Sequence, residues 1–194
     1  MRIAAPAGFH VVQPGDTLYG IAFENGLDYK ELADWNGLAD PNLILAGARL
    51  RLTPPPRTAV TATPQPPTEP QSAVVAWDWP VRGILLKNYD EANGSKGIDI
   101  AGQKGSPVRA AAAGRVMYAG DGLRGYGKLI IIKHSDSLLS AYAHQERILV
   151  AEGERVALGH PVGTMGDSDA QRVKLHFEIR EYGKPVDPLR YLPD

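Results

Sequence analysis

Cysteine is absent from the 194 residues. That excludes a disulfide framework, a thiolate zinc site, a cysteine nucleophile and a lipidated cysteine within this sequence. A charge excess is also missing: 21 Lys and Arg face 22 Asp and Glu, for a net of −1. Nucleic-acid-binding domains carry a clear basic excess, so nucleic acid is not expected as a partner. No apolar run reaches the roughly 18 residues that cross a bilayer. The opening Met1–Pro6 is too short, and too interrupted by Pro6, for a signal peptide. The sequence therefore reads as cytoplasmic or as a mature exported chain. What is present is ordinary globular material, 43% hydrophobic and 22% charged. Its length suits one large domain or two small ones.

Proline decides between these. Seven of the 16 prolines fall between Pro54 and Pro70, where Arg57 and Glu69 are the only charges. Such a segment has little apolar surface to bury and leans toward extended polyproline II. It reads as a semi-rigid linker over 54–76, dividing a small domain, 9–53, from a larger one, 77–194. Modules joined this way are expected to behave independently.

In the small domain, Phe9–Gln13 predicts a strand closed by a Pro14-Gly15 turn. Asp16 or Thr17 can cap the following helix, where Leu18, Ile21 and Ala22 form an apolar stripe. Gly26 suits the left-handed position that ends it. A second helix places Leu32 and Trp35 inward and stops near Asn36-Gly37, and Ala48–Leu52 returns as a strand. The run Val11-x-x-Gly-Asp-Thr-Leu18, with Trp35-Asn36 and Gly47-x-x-Leu50, resembles the LysM domain. The resemblance implies a small α+β (βααβ) domain that binds peptidoglycan glycan strands through backbone groups. The glycan-binding groove would involve Gly15, Asp16, Thr17 and Leu18 with the loop Leu43, Ile44 and Leu45. The same turn and cap residues also have a purely structural role, and the two readings are compatible.

The larger domain reads as mainly β. Arg115–Ala119, Lys128–Lys133, Leu138–Ala143 and Leu175–Arg180 are strand candidates, separated by Gly-rich or Ser/Asp-rich turns. Short strands are expected within Gly153–Gly159 and around Val162-Gly163. The expected architecture is an antiparallel sheet with a small barrel or sandwich half. Gly120-x-Gly122-x-x-Gly125 matches a dinucleotide-binding spacing but precedes a strand, so no helix N-terminus would meet a pyrophosphate. These glycines read as loop residues.

Three segments, Ser95–Asp99, Tyr142–His144 and Lys174–His176, resemble the motifs of LytM/lysostaphin-type zinc metallopeptidases, with similarity from about Trp79 to Leu192. In that family a His-x-x-x-Asp spacing supplies two zinc ligands and the second His of His-x-His the third. Here Ser95 stands at the first ligand position and Lys174 at the first His of the pair, while Asp99, His144 and His176 remain. A catalytic zinc takes three protein ligands and an open position. The resemblance therefore implies a degenerate site with no metal, no cofactor and no hydrolysis. His134 and His160 read as surface or turn residues.

A LysM domain, a proline-rich linker and a degenerate LytM domain together resemble the NlpD-like amidase activators of Gram-negative envelopes. That resemblance implies a periplasmic protein, associated with the outer membrane as a lipoprotein whose anchor lies outside this sequence. It would activate an N-acetylmuramoyl-L-alanine amidase during septum splitting, through a partner-binding groove of Lys96, Tyr126, Tyr142, His144, Lys174, His176 and Arg180. An active zinc peptidoglycan endopeptidase and a purely glycan-tethering module are the alternatives.

Overall fold

The computed structural model describes residues 8–40, 43–55 and 75–193. Most of the proline-rich linker, 56–74, lies outside the described residues. The N-terminal module runs β1 (Phe9–Val11), α1 (Leu18–Asn25), α2 (Tyr29–Trp35) and β2 (Arg49–Arg51), with β1 and β2 antiparallel. Thr17 caps α1, its hydroxyl accepting from the Gly20 N–H at 3.0 Å. Gly26 closes the helix in the left-handed conformation, φ 65°. Asp28 caps α2 through the N–H groups of Lys30 and Glu31. Asn36 then ties α2 to β2, accepting from Arg51 N at 2.7 Å and donating to its carbonyl at 3.0 Å.

The larger module contains β3 (Leu85–Lys87), β4 (Ile98–Ile100), β5 (Pro107–Arg109), β6 (Gly114–Gly120), β7 (Leu129–Lys133), β8 (Leu138–Ala143) and β9 (Gln145–Ile148). It continues through β10 (Arg155–Val156), β11 (Pro161–Met165), β12 (Leu175–Glu181) and β13 (Lys184–Val186), then a 3-10 turn at Pro188–Arg190. An antiparallel sheet orders these β10-β6-β7-β8-β12-β4-β3, with β13 pairing β12. A second sheet, β5-β11-β9, forms the small half. The expected β architecture and its strand positions hold; Gly120 ends β6, paired with Leu129, while Gly122 and Gly125 lie in the loop to β7.

The pleat sorts side chains of the main sheet to two faces. Val116, Ile130, Ile132, Tyr142, Leu175, Phe177 and Ile179 point into the core shared with Val108, Val162 and Met165. The Tyr142 hydroxyl accepts from the Ala111 N–H at 2.8 Å and meets Ser140 Oγ at 2.9 Å. The opposite face carries Tyr118, Leu129, Ile131, Ala141 and Ala143, which pack with Phe23 of α1. Every residue from Leu18 to Phe23 is buried because α1 is covered twice, by its own module and by this sheet. Lys133 Nζ also donates to the Tyr29 hydroxyl at 2.6 Å. The two modules are therefore packed together, which corrects the expectation of independence drawn from linker composition.

His134 is not the surface residue expected from its place at a strand end. Its ring bridges the Ala113 carbonyl, 2.8 Å from Nδ1, and Ser140 Oγ, 2.7 Å from Nε2. Burial disfavours its charged form and outweighs the Ala113 hydrogen bond, lowering the pKa from 6.5 to about 4. The unfolded chain thus binds a proton that the folded chain refuses across this interval. The stabilising contribution of His134 should be complete above pH 6.5 and disappear as pH falls to about 4. A tenfold difference in proton affinity between folded and unfolded chains is worth about 1.4 kcal/mol. Urea unfolding followed against pH should show this slope in the parent and a flatter curve in His134→Gln; equal slopes would contradict the assignment.

Candidate functional site

A cleft of about 280 Å³ opens on the face of the main sheet that does not join the core. It is lined by Lys87, Gly94, Ser95, Lys96, Asp99, Gly125, Tyr126, His144, Lys174, His176 and Glu178. Register explains the convergence: β12 pairs with β4 on one side and β8 on the other, setting His176 opposite both Asp99 and Ala143. Gly97 makes the close approach of β4 to β12 possible, since a Cβ there would collide with the Phe177 carbonyl.

The polar side chains form a chain of alternating charge. Lys174 Nζ donates to Asp99 Oδ2 at 2.7 Å, and His176 Nδ1 lies 2.6 Å from Asp99 Oδ1. His176 Nε2 lies 3.1 Å from Glu178 Oε1. Glu178 Oε1 accepts the Tyr126 hydroxyl at 2.9 Å, and its Oε2 accepts Arg180 Nε at 2.8 Å. Burial alone would raise Asp99, yet hydrogen bonds from His176 and Lys174 outweigh it and hold the carboxyl at about 2. His176 is pulled the other way by burial, but its bonds to Asp99 and Glu178 prevail and raise it. Glu178 is lowered against its own burial by His176 and Arg180. Both carboxylates are charged, and an imidazolium with two N–H groups fits between them.

His144 has a different environment. It occupies the left-handed region at φ 61°, sparsely populated for a residue with a Cβ. Its backbone N–H donates to the Tyr126 carbonyl at 2.9 Å, and ring Nδ1 lies 2.8 Å from the Ser168 carbonyl. Burial lowers its pKa. Nδ1–H therefore donates and Nε2 is an acceptor.

The LytM resemblance implies zinc, and the donor chemistry here does not fit it. Ser95 Oγ is turned onto the Asn88 and Gly97 carbonyls, at 3.0 and 3.2 Å. Both Asp99 oxygens are engaged, one by an ammonium that would repel a dication. Among the described residues no group of three or more His, Asp or Glu is placed to hold a metal.

Of the residues expected in the groove, Lys96, Tyr126, His144, Lys174 and His176 line the cleft. Tyr142 and Arg180 do not. Tyr142 is 0% exposed and projects into the core on the Phe177 side of the pleat. Arg180 is 1% exposed and lies beneath α1, beyond the cleft on the same strand face. Lys87 and Glu178 belong to the lining without being expected there from sequence. The alternation Lys174, His176, Glu178, Arg180 is the signal that could have found Glu178.

In the N-terminal module, Gly15 makes a turn at φ 90°. Asp16 Oδ2 accepts the Gln13 N–H at 2.8 Å and lies 2.7 Å from His10 Nε2. The Leu18 side chain is in the module core, leaving its backbone as the group available to a ligand. Leu43 and Leu45 are 69% and 71% exposed, while Ile44 packs against the core. The loop is tied back by Gly47 N–H donating to the Val12 carbonyl at 2.8 Å, just before the Gln13–Thr17 turn.

A LysM domain model matches residues 10–53 and a peptidase family M23 model residues 93–188. The chain is 43% identical to a Pseudomonas aeruginosa protein named lipoprotein NlpD/LppB homolog, over 99% of this chain and 79% of that one. It is 36% identical to the murein hydrolase activator NlpD of Salmonella typhimurium, over 95% of this chain and 68% of that one. Among solved structures, a Pseudomonas aeruginosa structure described as an M23 peptidase superposes with TM-score 0.55 at 29% identity, over 59% of this chain and 49% of that one.

The charge arrangement predicts how the site responds to metal. Purified parent protein should retain well under one zinc per chain after dialysis. Ser95→His combined with Lys174→His restores a plausible ligand set and should raise retention severalfold, as metal analysis would show. Stoichiometric zinc in the parent would overturn the reading of Asp99 as a carboxylate committed to Lys174 and His176.

Proposed function

The chain belongs to the NlpD/LppB family, and on that premise we propose that it is a non-hydrolytic, peptidoglycan-targeted activator of a murein hydrolase. The hydrolase is an N-acetylmuramoyl-L-alanine amidase of the periplasm, acting where the septum is split, and the activator is held in the envelope by outer-membrane association. The observation that carries this reading is Asp99: the carboxylate at the heart of a peptidase-like cleft is taken by Lys174 and His176. The cleft keeps its shape and polar lining while its donors are spent on one another. A site of that kind recognises rather than cleaves.

Recognition would work by population shift. A segment of the amidase that blocks its own active site is captured by the cleft, and binding energy spent on the unblocked state raises its population. Lys87 and Lys96 at the cleft rim offer positive charge to an acidic segment, and Tyr126 offers an anchoring ring. The LysM module supplies the address. Glycan would be bound by backbone groups of Gly15–Leu18 and by the loop carrying Leu43 and Leu45, whose exposed side chains suit the apolar face of a sugar.

Two experiments test the halves separately. Lys96→Glu should weaken stimulation of a cognate amidase on labelled peptidoglycan by tenfold or more, since like charge at an interface costs several kcal/mol. Lys184→Glu, at the exposed first residue of β13, is the control that should leave stimulation intact. Equal stimulation by both variants would place the partner elsewhere, and peptide cross-links cut by the protein alone would make it an enzyme. Arg180 is not a suitable site for charge reversal, because its guanidinium is buried between modules.

For the glycan half, Leu43→Ser with Leu45→Ser should reduce retention on sedimented peptidoglycan. Stability should change by about 0.5 kcal/mol or less, as for exposed positions in general. Undiminished sedimentation would remove this loop from the binding surface.

A further inference from the structure

The charged chain in the cleft does not end at Glu178. Arg180 carries it under the N-terminal module, where the guanidinium lies 3.4 Å from the centroid of the Phe23 ring and Nη1 donates to the Phe23 carbonyl. Phe23 is in the last turn of α1, where its carbonyl also accepts the capping Gly26 N–H at 3.3 Å and the dipole is negative, so a cation is favoured. The same guanidinium donates to both polar groups behind the cleft: Nε to Glu178 at 2.8 Å and Nη2 to the Tyr126 hydroxyl at 3.2 Å. Phe23 also meets the Tyr126 ring edge-on, with centroids 5.3 Å apart. Tyr126 and Glu178 line the cleft, whereas Phe23 and Arg180 do not.

We propose that α1 of the LysM module is the rear support of the cleft, and that Arg180, gripped by Phe23, is the positioning residue that holds Glu178 and Tyr126 in place. Arg180 does not line the cleft and acts through these two side chains. Its planar fork contacts Glu178, Tyr126 and Phe23 at once, a geometry that lysine cannot reproduce. Without α1, the guanidinium loses both the ring face and the carbonyl that fix it. Glu178 then keeps its charge partner but loses its fixed orientation, and His176, bonded to Glu178, follows. A second link between the modules, Lys133 to Tyr29, has no such continuation into the cleft.

The test uses the full chain and the ring signals of its histidines in NMR spectra. Phe23 belongs to the inter-module cluster and not to the LysM core, so Phe23→Ala leaves that core intact. Phe23→Ala should shift or broaden the His176 signals and move those of Tyr126. The His134 ring, held by Ala113 and Ser140, should stay where it is. Arg180→Lys should give the same pattern, because charge alone does not restore the fork. Phe23→Leu serves if the alanine variant does not fold. Tyr29→Phe, which removes the Lys133 hydrogen bond between the modules, should leave His176 unmoved. An unchanged His176 in the folded Phe23 variant overturns the proposal. Equal displacement of His134 does so too, by showing general loosening, as does an equal response to Tyr29→Phe.

Discussion

Strand β12 imposes the constraint from which most of this molecule follows. Leu175, Phe177 and Ile179 point to the core, so His176, Glu178 and Arg180 must share the other face, with Lys174 just before them. A slip of one residue would bury three ionisable groups in the core and expose its apolar residues, so the register is strongly specified. The charged face is itself largely covered, and ions taken from water must be compensated. Compensation comes from three directions. Asp99 on β4 serves Lys174 and His176, Tyr126 serves Glu178, and the end of α1 serves Arg180. Removing one member leaves a neighbour buried and unpaired, a loss of about 3–5 kcal/mol for such groups.

This compensation also keeps the cleft well formed. A lone buried carboxylate at position 99 would be raised by desolvation and would tend to neutralise. Lys174 supplies the positive charge that keeps it ionised, and His176 supplies a second donor. The strained His144 retains an orientation fixed by the Ser168 and Tyr126 carbonyls, independent of the Asp99 pair. A preorganised polar hollow is thus maintained by internal ion pairs.

Local signals were legible in the sequence and tertiary ones were not. The Thr17 cap, the Gly26 stop and the main strands depend on neighbours within a few residues. Whether Tyr142 faces the cleft or the core depends on the pairing of β8 with β12. That pairing places Tyr142 opposite Phe177 and Ala143 opposite His176. Alternation within the segment cannot say which side is which. Arg180 lies 157 residues from the carbonyl that fixes it, beyond the reach of any local pattern. One warning was present in α1. The run Leu18-Tyr-Gly-Ile-Ala-Phe23 is apolar around more than one face, and a helix of that kind needs cover on both sides.

That double cover bears on how the two modules depend on each other. Eight residues are fewer than the roughly 12–15 an isolated helix needs to be even marginally stable in water. The N-terminal module adds only a small core around Leu18, Leu32 and Leu50. A domain near this size buries only about 60% of the surface its unfolded chain exposes. Packing Phe23 against Leu129, Ile131 and Ala141 supplies apolar burial that neither module achieves alone. The benefit is mutual, because the same contact covers a sheet face that would otherwise present a continuous apolar surface to water. Gly183 marks how close the fit is: it turns at φ 76°, and a Cβ there would collide with the Leu27 backbone. Free energy shared across one contact acts in both directions. A ligand that pulled α1 away from the sheet would weaken the support behind Tyr126 and Glu178. A partner that tightened the cleft would, by the same linkage, favour α1 in its docked position. The docked position of α1 and the shape of the cleft are therefore set by a common interface.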